Sequence, residues 1–168
     1  LKVIFGSTVP ARGVRPQASA SCLAVAMESR HLYGLECFAV NASPAMTICH
    51  WFQVAGPADP HRLAKALRKT SLEFALLTAA LCGNRLCYRP DLAPDVQIDL
   101  DAAVDDASLA AHASTETTIG LGPAPQLEGR LLWRARVLKD GWVVLTFNHA
   151  IADGHSLWLL LRSLVQHL

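Results

Sequence analysis

Apolar and polar positions change rhythm most sharply between residues 131 and 168. Residues 131-LLWRARVL-138 and 142-WVVLTFNH-149 read as two strands joined by Lys139-Asp140-Gly141. Asp-Gly between strand-like runs predicts a hairpin with a type I′ turn, because that turn needs positive φ at both central residues. The second run is apolar on both faces, which predicts a central strand. After Gly154 the period becomes helical, with Leu157, Leu161, Leu164, Val165 and Leu168 on one stripe. Trp158, Leu159 and Leu160 add apolar surface outside the stripe, so the helix is expected to be buried on more than one side.

Upstream, 47-TICHWFQV-54 is rich in β-branched and aromatic residues and ends at Gly56-Pro57, as a strand closed by a turn would. Asp59 then suits a helix N-cap, with Pro60 at the first helical position, where its missing N–H is not needed. Leu63, Leu67, Phe74 and Leu77 recur at helical spacing, and Arg62, Lys65, Arg68, Lys69 and Glu73 fill the outer face. The pattern predicts an amphipathic helix of about five turns. Short strands are expected over 84–88 and 96–100, a helix over Asp101 to His112, and a loop at Gly120, Gly122, Pro123 and Pro125.

Composition fits one ordinary domain with a real core: 168 residues, 52% apolar and 17% charged. Fifteen basic residues oppose 14 acidic ones for a formal charge of +1, and neither sign forms a block. Nothing in that balance recommends nucleic acid or an acidic membrane surface as a partner. No apolar run reaches the roughly 18 residues of a membrane span. Five cysteines without a CxxC pair predict reduced thiols in a cytoplasmic protein. No metal site is expected, because Cys82 and Cys87 lack a matching pair and His149, Asp153 and His155 lack a fourth ligand. Residues 1–26 carry Lys2, Arg12 and Arg15 and no acid, superficially like a transit peptide. The change of character at Met27 favours a poorly structured leader or upstream extension, with residues 27–168 as the folded domain.

The chemistry centres on His149, at the end of the second hairpin strand. Asp153 suits an N-cap and Gly154 would permit close backbone approach, so the spacing alone describes a strand-to-helix turn as well as a site. An imidazole at the carboxyl end of a strand can, however, accept a proton near neutral pH. The remaining histidines and the four tryptophans read as surface and core residues. Cys49 or Cys82 as a nucleophile, with His149 as base, has no local sequence support.

The segment 148-NHAIADG-154, between the strand WVVLTF and the helix HSLWLLLRSL, resembles the HHxxxDG motif of the chloramphenicol acetyltransferase-like, CoA-dependent acyltransferases. That superfamily includes condensation domains, BAHD acyltransferases, and alcohol and phthiocerol-ester acyltransferases. The strand leading into 54-VAGPADPHRLAKAL-67 is similar to its opening strand and first helix, and the hairpin 130-RLLWRARVLKDGWVVLTF-147 fits in order and spacing. Asn148 stands where the motif has its first His, and 74-FALLT-78 where the family often has His-Pro-x-Leu-Arg. The elements and the resemblance together predict an α/β fold, a mixed, largely antiparallel sheet with packed helices, as the N-terminal lobe of such a domain.

The resemblance implies an enzyme in which His149 is the general base, with Asp153 and Gly154 structural at the active site. The donor would be an acyl-CoA or a phosphopantetheinyl acyl carrier protein, with no tightly bound cofactor, and the acceptor a small-molecule alcohol or amine. Asp153 would pair with an arginine beyond this segment, and Ser156 is a positional guess for an oxyanion donor. A second lobe or a partner subunit would complete the site. A catalytically incomplete lobe and a compact trimeric acetyltransferase are the alternatives.

Overall fold

A computed structural model describes residues 28–55, 59–119 and 121–168. The expected leader over 1–26, the Gly56-Pro57 turn and Gly120 lie outside the described residues. Strands β1 (Ser29–His31), β4 (Arg85–Tyr88) and β3 (Ala79–Cys82) form a small antiparallel sheet in that order. Strands β2 (Thr47–Gln53), β7 (Trp142–Asn148), β6 (Trp133–Leu138) and β5 (Asp95–Asp99) form the main sheet. Its β5–β6 pair is parallel and the others antiparallel, so the sheets are mixed and largely antiparallel, as expected. Among the described residues four α-helices accompany them: α1 (Gly34–Asn41), α2 (Pro60–Glu73), α3 (Asp106–Thr118) and α4 (Gly154–His167).

The β6–β7 hairpin closes as the sequence predicts. Asp140 and Gly141 have φ of 56° and 74°, and the Trp142 N–H donates to the Lys139 carbonyl. The strands pair Val137 with Val143, one residue out of step with a Lys139–Trp142 turn, so Leu138 is left as the extra residue of a bulge. Strand β7 is buried at every position and lies between β2 and β6. Alternate β7 side chains feed two layers. Val143, Leu145 and Phe147 join a core with Leu63 and Leu67 of α2 and Leu157, Leu161 and Leu164 of α4. Val144 and Trp142 pack with Cys49, Leu109 and Ala113 on the side of α3. Each fully buried leucine contributes about 2 kcal/mol of transfer free energy.

Several expectations need correction. Helix α2 stops at Glu73, where Phe74 turns extended (φ −116°, ψ 108°) and Ala75–Thr78 form a tight 3-10 turn. The Ser71 hydroxyl takes the Arg68 carbonyl and the Thr78 hydroxyl the Ala75 carbonyl, local bonds that compete with a longer helix. The third helix starts at Asp106, not Asp101, because Asp105 provides the cap, accepting the Ser108 N–H at 2.8 Å. Ala102 and Val104 instead pack on the second core. Helix α4 buries Leu157, Leu160, Leu161 and Leu164, but Trp158, Leu159 and Val165 are 50%, 48% and 52% exposed. Among the described residues it is covered on one side only.

Candidate active site

The main sheet delivers the motif at one end of its central strand. Strand β7 finishes at Asn148, and residues 149–153 turn the chain into α4. The His149 N–H donates to the Met46 carbonyl at 2.9 Å, tying the turn to the chain just before β2. The half-buried His149 ring places Nδ1 3.0 Å from the Ala152 carbonyl. A carbonyl only accepts, so Nδ1 donates in that bond, and in the neutral ring the lone pair lies on Nε2. No bond to Nε2 occurs among the described residues. The ring is oriented to accept a proton through that nitrogen.

Asp153 caps α4. Its Oδ1 accepts the Ser156 N–H and the Ser156 hydroxyl, each at 2.8 Å, while the Asp153 N–H reaches the Ser156 oxygen at 3.4 Å. The Ser156 N–H, then its hydroxyl, hold the Asp153 carboxyl below the usual range. Asp153 thus bonds Ser156, not the His149 ring, and a Ser-His-Asp type relay is not assembled. Ser156 has spent its only hydroxyl proton on the cap, so it offers none to an oxyanion. A Cβ at Gly154 would meet nothing within 4 Å, so the expected close backbone approach does not arise from the described residues.

Asn148, where the motif it resembles has its first His, is fully buried and bonded on both sides of its amide. Its Nδ2 donates to the Ala39 carbonyl of α1 at 3.2 Å, and its Oδ1 accepts the Ala150 N–H at 3.0 Å. Beside the motif lies a mainly apolar cavity of about 310 Å³, lined by Phe74, Leu76, Phe147, Ile151, Leu157 and Leu160 among others. Ala152 and Ser156 border it, and Glu73 supplies a charged edge. The early end of α2 makes room for it, since Phe74 to Leu77 line the cavity instead of extending the helix.

No family model matches the sequence, and no curated protein does. Solved structures match with high probability. The starter condensation domain of rhizomide synthetase RzmA aligns with a TM-score of 0.64 and 18% identity, over 82% of this chain and 38% of its own. VibH, a condensation enzyme of nonribosomal peptide synthesis, aligns at 0.58 and 20%, over 79% and 32%. The EpoB cyclization-docking bidomain from Sorangium cellulosum aligns at 0.60 and 16%, over 82% and 30%. The chain has a condensation-domain fold. It spans about a third of the length of these neighbours. One structure of an RzmA starter-domain variant is a complex with C8-CoA.

Within this condensation-domain fold, none of the other candidate groups bonds the His149 ring among the described residues. Cys49 is buried, and burial first, then the Glu116 charge, pushes its thiol up to about 12, which makes it a poor nucleophile. Cys37, Cys49, Cys82 and Cys87 form no disulfide. His31 meets Arg85 at 2.6 Å, and His167 meets Glu73 at 2.6 Å, where the Ser163 hydroxyl also bonds. Burial lowers His50 below its ordinary value. Among the described residues no group of three or more His, Cys, Asp or Glu could hold a metal ion. No helix among them is long and apolar enough to cross a membrane.

Proposed function

We propose that this chain supplies the histidine-bearing wall of an acyltransferase site, moving an acyl group from a CoA or carrier-protein thioester to an alcohol or amine. The observation that carries the reading is the His149 ring, held through Nδ1 by the Ala152 carbonyl with Nε2 unengaged. In this scheme Nε2 removes the proton from the acceptor hydroxyl or amine as it attacks the thioester carbonyl. The C–S bond then breaks, and the imidazolium returns the proton to the departing thiolate. Asp153 and Gly154 shape the start of α4 without touching substrate. The apolar cavity along α4 suits an acyl tail, and C8-CoA in the RzmA complex is consistent with a thioester donor. The oxyanion donors and the opposite wall are assigned to a second lobe or a partner subunit.

The test is acyl transfer by the full-length protein from a series of acyl-CoA and acyl-carrier thioesters to a panel of alcohols and amines. His149→Ala is expected to lower turnover by about 100-fold or more, the usual contribution of a general base, with its circular dichroism and melting unchanged. Near-wild-type turnover in a folded variant would sink the general-base assignment.

A further inference from the structure

We infer that Asn148 is a positioning residue for His149, an amide clamp whose one donated and one accepted bond hold the turn that orients the imidazole. The inference rests on the reading of His149 as the base, and it assigns a task to the position where the motif departs from its usual histidine. Asn148 is 0% exposed. Its Nδ2 reaches Ala39, 109 residues away in sequence, and its Oδ1 takes the N–H of Ala150 two residues on. Its main-chain N–H donates to the Leu132 carbonyl at 2.9 Å, and its own carbonyl accepts the Ile151 N–H at 3.1 Å. The bonds to Ala150 and Ile151 curl the chain back within four residues. That curl brings the Ala152 carbonyl to His149 Nδ1, so Asn148 holds both the ring's backbone and the acceptor that sets its tautomer.

An amide suits this duty because it presents one donor face and one acceptor face and stays uncharged across the working pH range. A neutral imidazole also offers one donor and one acceptor, and loses the acceptor when protonated. A carboxylate of the same shape has only acceptors, and gains a donor when protonated. The clamp in this chain therefore does not titrate, whereas either replacement would, and in opposite directions.

Among the described residues the charged groups around it are few. On the same face of β7, two residues back, the Thr146 hydroxyl donates to Glu116 at 2.8 Å, and Glu116 is paired with Arg134 of β6. Cys49 and neutral Thr47 stand across on β2, opposite Thr146 and Asn148. On α1 the acid Glu36 is tied to Arg30, the motif turn adds His149 and Asp153, and the start of α4 adds His155. None of these supplies a second amide-like pair at the Ala39 and Ala150 contacts.

The experiment compares full-length wild type with Asn148→Ala, Asn148→Asp and Asn148→His between about pH 5.5 and 9. Rates are taken as ratios to wild type at each pH, and the His149 ring is followed by ¹⁵N NMR. The alanine variant should lose about 10- to 100-fold in kcat with little change in KM, and its ring should no longer be held in the Nδ1–H tautomer. The Asp ratio should rise as pH falls, because a buried carboxyl facing a carbonyl regains a donor on protonation. The His ratio should fall over the same range. Ratios flat with pH in both folded variants, or an unchanged Nδ1–H tautomer in Asn148→Ala, overturn the clamp. If the alanine variant does not fold, Asn148→Asp decides, since failure to recover the wild-type ring signal at low pH also overturns it. If wild type transfers no acyl group, the functional reading fails while the NMR result still judges the clamp.

Discussion

The carboxylate of Asp153 closes the first turn of α4 through two bonds to Ser156, and this end of the helix carries the motif turn. Its pKa is lowered from 3.8 by those bonds. A depressed carboxyl contributes stability that is present above its unfolded value and lost as pH falls through the folded one. Amide exchange over 153–157 is therefore expected to accelerate as pH drops below 3.8, after correction for intrinsic exchange, and to do so at all pH values in Asp153→Ala. The variant should lose about 1 kcal/mol, the usual worth of a cap. An Asp153→Ala protein with wild-type stability, or with unaltered exchange at the start of α4, would show that the carboxylate has another task. The cap at Asp153 is legible in sequence because its contact with Ser156 closes within three residues. The work of Asn148 could not, because its decisive partner is the Ala39 carbonyl, set beside it only by the tertiary fold.

Helices and strands were legible where their signals are local. The hairpin around Asp140-Gly141, the cap at Asp59 and the buried run of β7 each announce themselves within eight residues. Strand β3 did not, since 79-AALC-82 is short and Ala-rich, although the two-residue Gly83-Asn84 connection to β4 was a usable signal. Helix α3 hides its most consequential residue in the polar run 114-STETT-118. Glu116, 2% exposed, accepts two bonds from Arg134 at 2.8 and 2.6 Å and one from the Thr146 hydroxyl at 2.8 Å. Arg136 lies 3.9 Å away and also pairs with Asp99 of β5. This network joins α3 to β5, β6 and β7 on the face opposite α2 and α4. Removing one partner of a buried pair strands the other charge, so Glu116→Ala is expected to destabilise the fold by about 3 kcal/mol. Urea titration measures this, and Thr146→Val, which removes a single neutral donor, should cost less. Equal losses in the two variants would mean that the ion pair with Arg134 adds nothing beyond the hydroxyl contact.

At the scale of the molecule, the two sheets are joined through the segment that precedes β6. Leu81 of β3 exchanges backbone bonds with it, donating to Arg130 at 3.3 Å and accepting from Gly129 at 2.7 Å, and the Glu128 carboxylate takes the Gly83 N–H at 3.0 Å. Trp133 then enters the core of the main sheet, its ring stacked 6.5 Å from Phe147, and its indole N–H donates to the Leu77 carbonyl at 2.7 Å. That bond fixes the turn after α2, whose residues Phe74 to Leu77 form one side of the cavity beside the motif. Trp133→Phe keeps much of the apolar contact but leaves a buried carbonyl without its donor, which costs about 1 to 3 kcal/mol. If the sheets form one cooperative unit, the loss should move the denaturation midpoint of both together, whether followed by far-ultraviolet circular dichroism or by tryptophan fluorescence. The wall of the cavity should loosen as well, read as faster amide exchange over residues 74–78 than over β7. Two separated transitions would mean that the small sheet folds apart from the main one. Protection of residues 74–78 unchanged from wild type would mean that the cavity wall is held by its apolar packing and not by the indole bond.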